Sequence, residues 1–376
     1  MKQTKKIRVA VLFGGRSTEH EVSLRSATNV IQHLDTNQFD IIPVGIDKQG
    51  SWFLGQDVFT KSVEHQAVPP LTNDNQTWFT PESVGKSVTQ TDANELEEKV
   101  FDVIFPIVHG TFCEDGTLQG LLELADLPYV GCGVLASSIG MDKDISKRLV
   151  SLAGVNVAPY LVIKHGQWLS QPSHWMKEVT NTISYPVFVK PANAGSSIGI
   201  TKVKSEDQLA SAIEEAFKFD TKILVEKALN VQELELAVLE SLEPGADPMV
   251  SIVGEIRPSH EFYSYDAKYI DDKGAELFIP APVSEQIAEK ARVAAKKIFA
   301  ALECEGMARV DLFLDKDTQT IYFNEINTIP GFTKISMYPK LMEASGVSYA
   351  ELLTHLIQLA VIRHEAKNKL IRSHAL

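Results

Sequence analysis

Residues 7–13 form an almost unbroken apolar run, interrupted by Arg8 alone, and the run ends at Gly14-Gly15. A half-solvated strand alternates apolar with polar side chains. A strand without that alternation is covered on both faces, as in a parallel sheet. After the glycines, Leu24, Ala27, Ile31 and Leu34, with Val30 beside them, recur at the spacing of one helix face. Residues 41–46 supply the next apolar run. Strand, glycine turn, helix and strand make a βαβ opening, which predicts an α/β fold built on a parallel sheet. The basic start Met1 to Arg8 does not read as a signal peptide. The apolar run behind it is too short, and Gly14-Gly15-Arg16 stands where a small-residue cleavage site would be.

Further along, residues 68–96 change character. Pro69-Pro70, Asn73-Asp74-Asn75 and a Ser/Thr/Gln-rich stretch predict an irregular insertion with some β content. Residues 100–108 resume as a buried strand ending at His109-Gly110, and Leu118, Leu121, Leu122 and Ala125 mark a helix. A second unit follows, with helices over 142–153 and 206–217 and strands over 157–163, 187–190, 199–203 and 222–226. A third carries strands over 233–239, 250–256, 309–314 and 320–325, then a terminal helix over 349–363. For 376 residues, two or three domains are expected, and the boundaries fall at 1–140, 141–229 and 230–376.

A formal net charge of −13 excludes a broad nucleic-acid footprint, which needs a surplus of Lys and Arg on one face. It leaves room for a local basic pocket that takes an anion. No run approaches membrane-spanning length. Cys113, Cys132 and Cys304 are odd in number and widely spaced, so they read as buried thiols in a reducing cytoplasm.

Two motifs mislead. Gly131-Cys132-Gly133-Val134-Leu135-Ala136 matches a loose dinucleotide fingerprint, but the acidic residue required about 20 positions later is missing. A tight turn is the better reading. Gly195-Ser196-Ser197-Ile198-Gly199 matches the G-x-S-x-G elbow of a serine hydrolase, with Ser197 as nucleophile. The elbow leads from strand into helix, whereas residues 199–203 continue as strand. A glycine-serine loop between two strands can instead fold over phosphates through free N–H and hydroxyl donors. Lys190 leads into it as a charge partner.

Near the end, Arg309-Val310-Asp311 lies in one strand and Asn324-Glu325-Ile326-Asn327 closes the next. Paired as a hairpin, they set Asp311 roughly opposite Glu325, with Arg309 and Asp311 on one face and Glu325 and Asn327 on the matching one. Leu312 and Leu314 then point into the core. Such hard oxygen ligands suit Mg²⁺. An EF-hand starting at Asp315 fails, because its sixth position is Thr320 rather than Gly.

Taken in order, these motifs resemble the D-alanine–D-alanine ligases of the ATP-grasp superfamily. The resemblance rests on Asn324 to Gly331 (Asn-Glu-Ile-Asn-Thr-Ile-Pro-Gly), His109-Gly110 with Glu114 to Gly120, and Gly14 to Ser23. Met141-Asp142-Lys143, Lys190-Pro191 with Gly195-Ser196-Ser197, and Tyr263 to Tyr269 add to it. It spans nearly the whole chain. It implies a three-domain ATP-grasp enzyme: an N-terminal parallel-sheet domain and two α+β subdomains, with ATP between the second and third and a lid over 261–280.

The resemblance also implies roles. Lys143, Lys190 and Lys268 contact ATP phosphates, with Ser197 in the phosphate loop. Glu226, Lys227 and Leu229 line the adenine site, Glu233 meets the ribose and Phe262 packs on the adenine. Asp311, Glu325 and Asn327 hold two Mg²⁺, with Mn²⁺ and an added monovalent cation left open. Arg309 and the Gly331 amide stabilise an oxyanion. Glu19 pairs with the ammonium of the first D-alanine, with His109 also on the substrate side, and Ser336 and Met337 take the second carboxylate. Ser196 and Tyr269, linked to Glu19, latch the lid. The implied activity is ATP-dependent joining of two D-alanines for peptidoglycan precursors, by a homodimer. A D-alanine–D-lactate ligase is the rival, and the Ala267-Lys268-Tyr269 lid sequence favours the dipeptide.

Overall fold

The computed structural model describes residues 5–65, 76–79, 87–91, 96–258 and 275–371. The first strand, Ile7–Gly14, lies between Phe39–Ile46 and Val103–Pro106 and is parallel to both, with Val9 opposite Ile41 and Val103. Val9, Val11 and Phe13 face one way and Ala10 and Leu12 the other, into two separate cores, which is why the run needs no polar alternation. Helix His20–His33 buries Val22, Leu24, Ala27 and Val30. Past Phe39–Ile46 the sheet turns antiparallel through Trp52–Leu54, Gln76–Phe79, Ser87–Thr91 and Leu96–Val100. The sheet is therefore mixed, and the 68–96 insertion contributes strands to its edge.

The single strand expected over 100–108 is broken. The chain leaves Leu96–Val100 and re-enters as Val103–Pro106. Between them Asp102 accepts from the Arg8 backbone N–H at 2.8 Å and from its guanidinium at 2.9 and 2.8 Å.

The second sheet is antiparallel. Val187–Pro191 lies between Thr201–Val203 and Lys222–Lys227, and Tyr160–Lys164 forms the far edge. Helix Lys143–Leu152 starts at an Asp142 cap that accepts from the Asp144 and Ile145 N–H groups. The expected strand over 157–163 is two pieces. Asn156–Val157 joins the third sheet beside Tyr322 and Phe323. Pro159, which has no N–H to donate, separates it from Tyr160–Lys164. Helices His165–Ser170 and Pro172–Thr182 are additions to the expected elements.

In the third sheet Val231–Leu239 pairs with Met307–Asp315 along its whole length. Met307–Asp315 pairs in turn with Ile321–Asn327, and helix Glu285–Ala301 covers the apolar face. The strand expected over 250–256 is also two, Met249–Val250 and Gly254–Pro258, each pairing with Val231–Leu239. At the break the Ser251 hydroxyl takes the Ala237 N–H at 2.9 Å and donates to the Ile252 carbonyl at 2.7 Å, replacing part of the ladder.

The terminal helix runs Tyr349–Asn368, longer than expected, and starts at a Ser348/Glu351 capping box. Its Leu352, Leu353, Leu356 and Ile357 enter the same core as Val9, Val11 and Phe13. At 131–136 the expected turn leads directly into helix Val134–Met141. Gly131 there lies against Gly306, so the loop is a packing contact between units. All three cysteines are buried and free. We propose unit boundaries near residues 140 and 229, supported by where one sheet gives way to the next.

Candidate active site

The hairpin register carries the chemistry. Asp311 lies opposite Glu325 and Arg309 opposite Asn327, as strand alternation predicts, and Leu312 and Leu314 are buried behind them. A bulge follows Asp311. The Arg309 guanidinium binds both Asp311 oxygens at 2.7 Å, and its Nε lies 3.1 Å from Glu235 on the neighbouring strand. Asn327 donates to Asp311 at 3.0 Å. The result is an acidic cluster whose charge is met by a fixed arginine.

A second cation comes from the middle unit. Lys143, buried at the start of its helix, donates to the Ala194 carbonyl at 2.7 Å and lies 3.3 Å from Glu325. One ammonium thus joins the glycine-serine loop to the carboxylate hairpin. Ser196 and Ser197 adopt left-handed backbone conformations in that loop. The loop connects two antiparallel strands, Val187–Pro191 and Thr201–Val203, with no helix directly after it. The strand-to-helix geometry of a hydrolase elbow is therefore absent, and Ser197 loses that reading.

The third side of the cleft is the N-terminal unit. Glu19 is buried ahead of helix His20–His33 and accepts from the Ser196 hydroxyl. Gly110, at φ +79°, passes so close to Glu19 that a Cβ there would lie 2.6 Å from its carboxylate. His109 is buried. Its Nδ1 lies 3.1 Å from the Ile329 carbonyl and so carries the proton, and Nε2 is left to accept from Ser26 at 3.3 Å. Burial lowers the His109 pKa, which keeps the ring neutral. Glu114 accepts from the Gly110 N–H at 2.7 Å and the Ile329 N–H at 3.3 Å. Burial, reinforced by Glu19, pushes its carboxyl up to about 8.

These residues line one cleft of about 290 Å³. Its lining includes Glu19, His109, Lys143, Ser196, Glu233, Arg309, Asp311, Glu325 and Asn327. Gly331, Ser336 and Met337 line it as well. A Cβ at Gly331 would stand 2.8 Å from the Ser336 hydroxyl and would displace it. The Met337 side chain is buried in the core, and the residue begins helix Met337–Ala344.

Lys190 and Glu226 are buried and paired at 2.7 Å. Half-buried Leu229 follows their sheet. The Lys227 ammonium turns to Ser184, donating to its carbonyl and hydroxyl at 2.7 Å. Phe262, Lys268 and Tyr269 lie outside the described residues, as does most of the expected lid. Sequence reasoning missed Glu235, Glu114 as a cleft acid, and Lys147. The Glu233-Leu234-Glu235 alternation would have found Glu235. Lys147, one turn after Lys143, gave no signal apart from its place on that helix.

Comparison with known proteins finds matches along nearly the whole chain. The family model described as D-ala D-ala ligase N-terminus matches residues 8–132, and that described as D-ala D-ala ligase C-terminus matches residues 149–358. D-alanine–D-alanine ligase A of Bradyrhizobium diazoefficiens is 48% identical over 375 residues, covering 98% of this chain and 99% of the relative. D-alanine–D-alanine ligase of Caldicellulosiruptor bescii is 47% identical over 365 residues, covering 97% and 98%. Among solved structures, the VanG D-Ala:D-Ser ligase from Enterococcus faecalis superposes with a TM-score of 0.83 at 38% identity, covering 95% of this chain and all of that one. The D-alanine–D-alanine ligase from Coxiella burnetii gives 0.80 at 34% identity, covering 98% of each. With matches over both halves of the sequence and over its whole fold, the chain belongs to the D-alanine–D-alanine ligase family.

Proposed function

We propose that this protein joins two D-alanine molecules in an ATP-dependent reaction that passes through D-alanyl phosphate. The observation that carries the reading is one cleft in which Lys143 bridges the glycine-serine loop and Glu325, and whose lining also includes Arg309 and the Glu19–Ser196 pair.

A carboxylate is a poor electrophile, and transfer of the ATP γ-phosphoryl group activates it. Like charges must be brought together for that transfer, so cations have to gather where it occurs. Lys143 and Lys190 supply two, and Lys268 a third on the family resemblance. Asp311, Glu325 and Asn327 offer two carboxylates and an amide oxygen on facing strand positions, a donor set that fits hard divalent cations. When bound there, Mg²⁺ or Mn²⁺ would neutralise phosphate charge during transfer. Glu19 suits the ammonium of the first D-alanine. The Ser336 hydroxyl and the helix start at Met337 suit the carboxylate of the second, since a helix N-terminus favours an anion. Arg309, held rigid by Asp311 and Glu235, and the Gly331 N–H would offset the oxyanion formed when the second amine attacks. The amide forms as phosphate leaves.

Glu226, Leu229 and the Lys227 backbone suit the adenine, Glu233 the ribose and Ser197 the phosphates. Phe262 and Tyr269 keep the roles implied by family resemblance. The reading includes a cytoplasmic homodimer that uses no nucleic acid or membrane partner. Among the described residues, no single helix is long and apolar enough to cross a membrane. Phosphate release from MgATP tests the reading: it is expected with D-alanine and not with L-alanine. Release indifferent to D-alanine would reject it.

A further inference from the structure

Among the described residues, Lys147 is the lysine that lies fully inside the core, and none of the roles above uses it. It lies on the helix Lys143–Leu152 and is 0% exposed. Its Nζ is 2.8 Å from Glu226 Oε2, while Glu226 Oε1 takes Lys190 at 2.7 Å. The Lys147 ammonium also donates to the Phe323 carbonyl at 3.3 Å, and the rings of Tyr160 and Phe323 lie 6.0 and 5.8 Å away. One side chain therefore ties the helix to strand Lys222–Lys227 and to strand Ile321–Asn327.

The charge count is uneven: two ammonium groups share one carboxylate, and all three are buried. Lys147 is sealed in. Lys190 sits at the end of the strand that feeds the glycine-serine loop, so it is the cation that can turn toward an anion there. Moving a lysine away from a buried carboxylate is costly when the carboxylate is then left alone. Here it is not left alone, because Lys147 stays.

We propose that Lys147 is a positioning residue for nucleotide binding: it gives Glu226 a permanent counter-charge, so that Lys190 can exchange the carboxylate for an ATP phosphate. The inference rests on the reading of Lys190 as an ATP ligand. Burial alone would raise the Glu226 carboxyl, yet Lys147 and Lys190 together hold it below the usual carboxylate range, in keeping with an anion that needs a cation at all times.

The test is steady-state kinetics with ATP and D-alanine varied separately, on Lys147→Met, Lys190→Met, Glu226→Gln and the Lys147→Met/Glu226→Gln double variant. In Lys147→Met the pair Glu226–Lys190 becomes one-to-one, and Lys190 is held back. The ATP KM is expected to rise about tenfold or more, with the D-alanine KM changed by less than about threefold. On the Glu226→Gln background, Lys147→Met should change the ATP KM by less than about threefold, and this comparison stands even where Lys147→Met alone does not fold. An ATP KM for Lys147→Met within about threefold of the parent, alongside a raised one for Lys190→Met, would overturn the inference alone. So would an equally large effect of Lys147→Met with and without Glu226. An unchanged ATP KM in Lys190→Met would overturn the reading of Lys190 and the inference with it.

Discussion

Replacing Arg309 with alanine should separate catalysis from binding. The guanidinium is fixed by two 2.7 Å bonds to Asp311 and a 3.1 Å contact to Glu235, so it costs little reorganisation to present charge to a reacting centre. Losing one such donor raises a barrier by about 2.7–4 kcal/mol, or ~10²–10³ in kcat. The stability cost is separate. Asp311 and Glu235 are each 7% exposed, and each would lose its arginine. Stranding a buried acceptor costs about 1–3 kcal/mol, which urea unfolding should register. Arg309→Lys keeps the charge but not the bidentate fork, so it should restore stability in part and leave kcat low. Assays at saturating ATP and D-alanine, on protein shown folded by circular dichroism, measure the effect. A kcat for Arg309→Ala within about tenfold of the parent would refute the oxyanion role.

Gly110→Ala should abolish turnover, because its Cβ would meet Glu19 at 2.6 Å and the site has φ +79°; an active, stable variant would show that Glu19 has another place to go. Removing divalent cations with a chelator should stop phosphate release, and Mg²⁺ or Mn²⁺ should restore it, while Asp311→Asn should raise the cation concentration required. Glu114 gives a pH signature. Its folded pKa is raised from 4.5 to about 8, so between those values the folded state holds a proton that the unfolded chain releases. Its contribution to stability therefore falls as pH rises through that window, and denaturation of Glu114→Gln should show a weaker loss than the parent. Identical pH slopes would reject the assignment.

The fold and the site are legible in the sequence where chemistry and local pattern coincide. Hairpin pairing sets Asp311 opposite Glu325, strand alternation fixes which side chains share a face, and apolar Leu312 and Leu314 mark the other face. The Lys190 strand and the glycine-serine loop are legible for the same reason. Breaks in strands are not. Those near Asp102, Pro159 and Ser251 depend on hydrogen bonds to distant residues, or on a two-residue segment joining another sheet. Helix Glu285–Ala301 escapes because its buried face is built largely from Ala288, Ala291, Ala294 and Ala295, which give a weak contrast with the polar face. Lys147 escapes because a lysine on a helix reads as solvated until tertiary packing closes over it. The terminal helix is evident, but not its packing on the first strand, since no local pattern records a contact across more than 300 residues.

The most direct test of the central claim is a single incubation of the protein with MgATP and D-alanine carrying heavy oxygen in its carboxylate, followed by mass spectrometry of both products. The account predicts D-alanyl-D-alanine together with one labelled oxygen in the released phosphate, because the activated carboxylate surrenders that oxygen when the amine attacks. Dipeptide with unlabelled phosphate would contradict the acyl-phosphate route, and phosphate release without dipeptide would contradict the ligase itself.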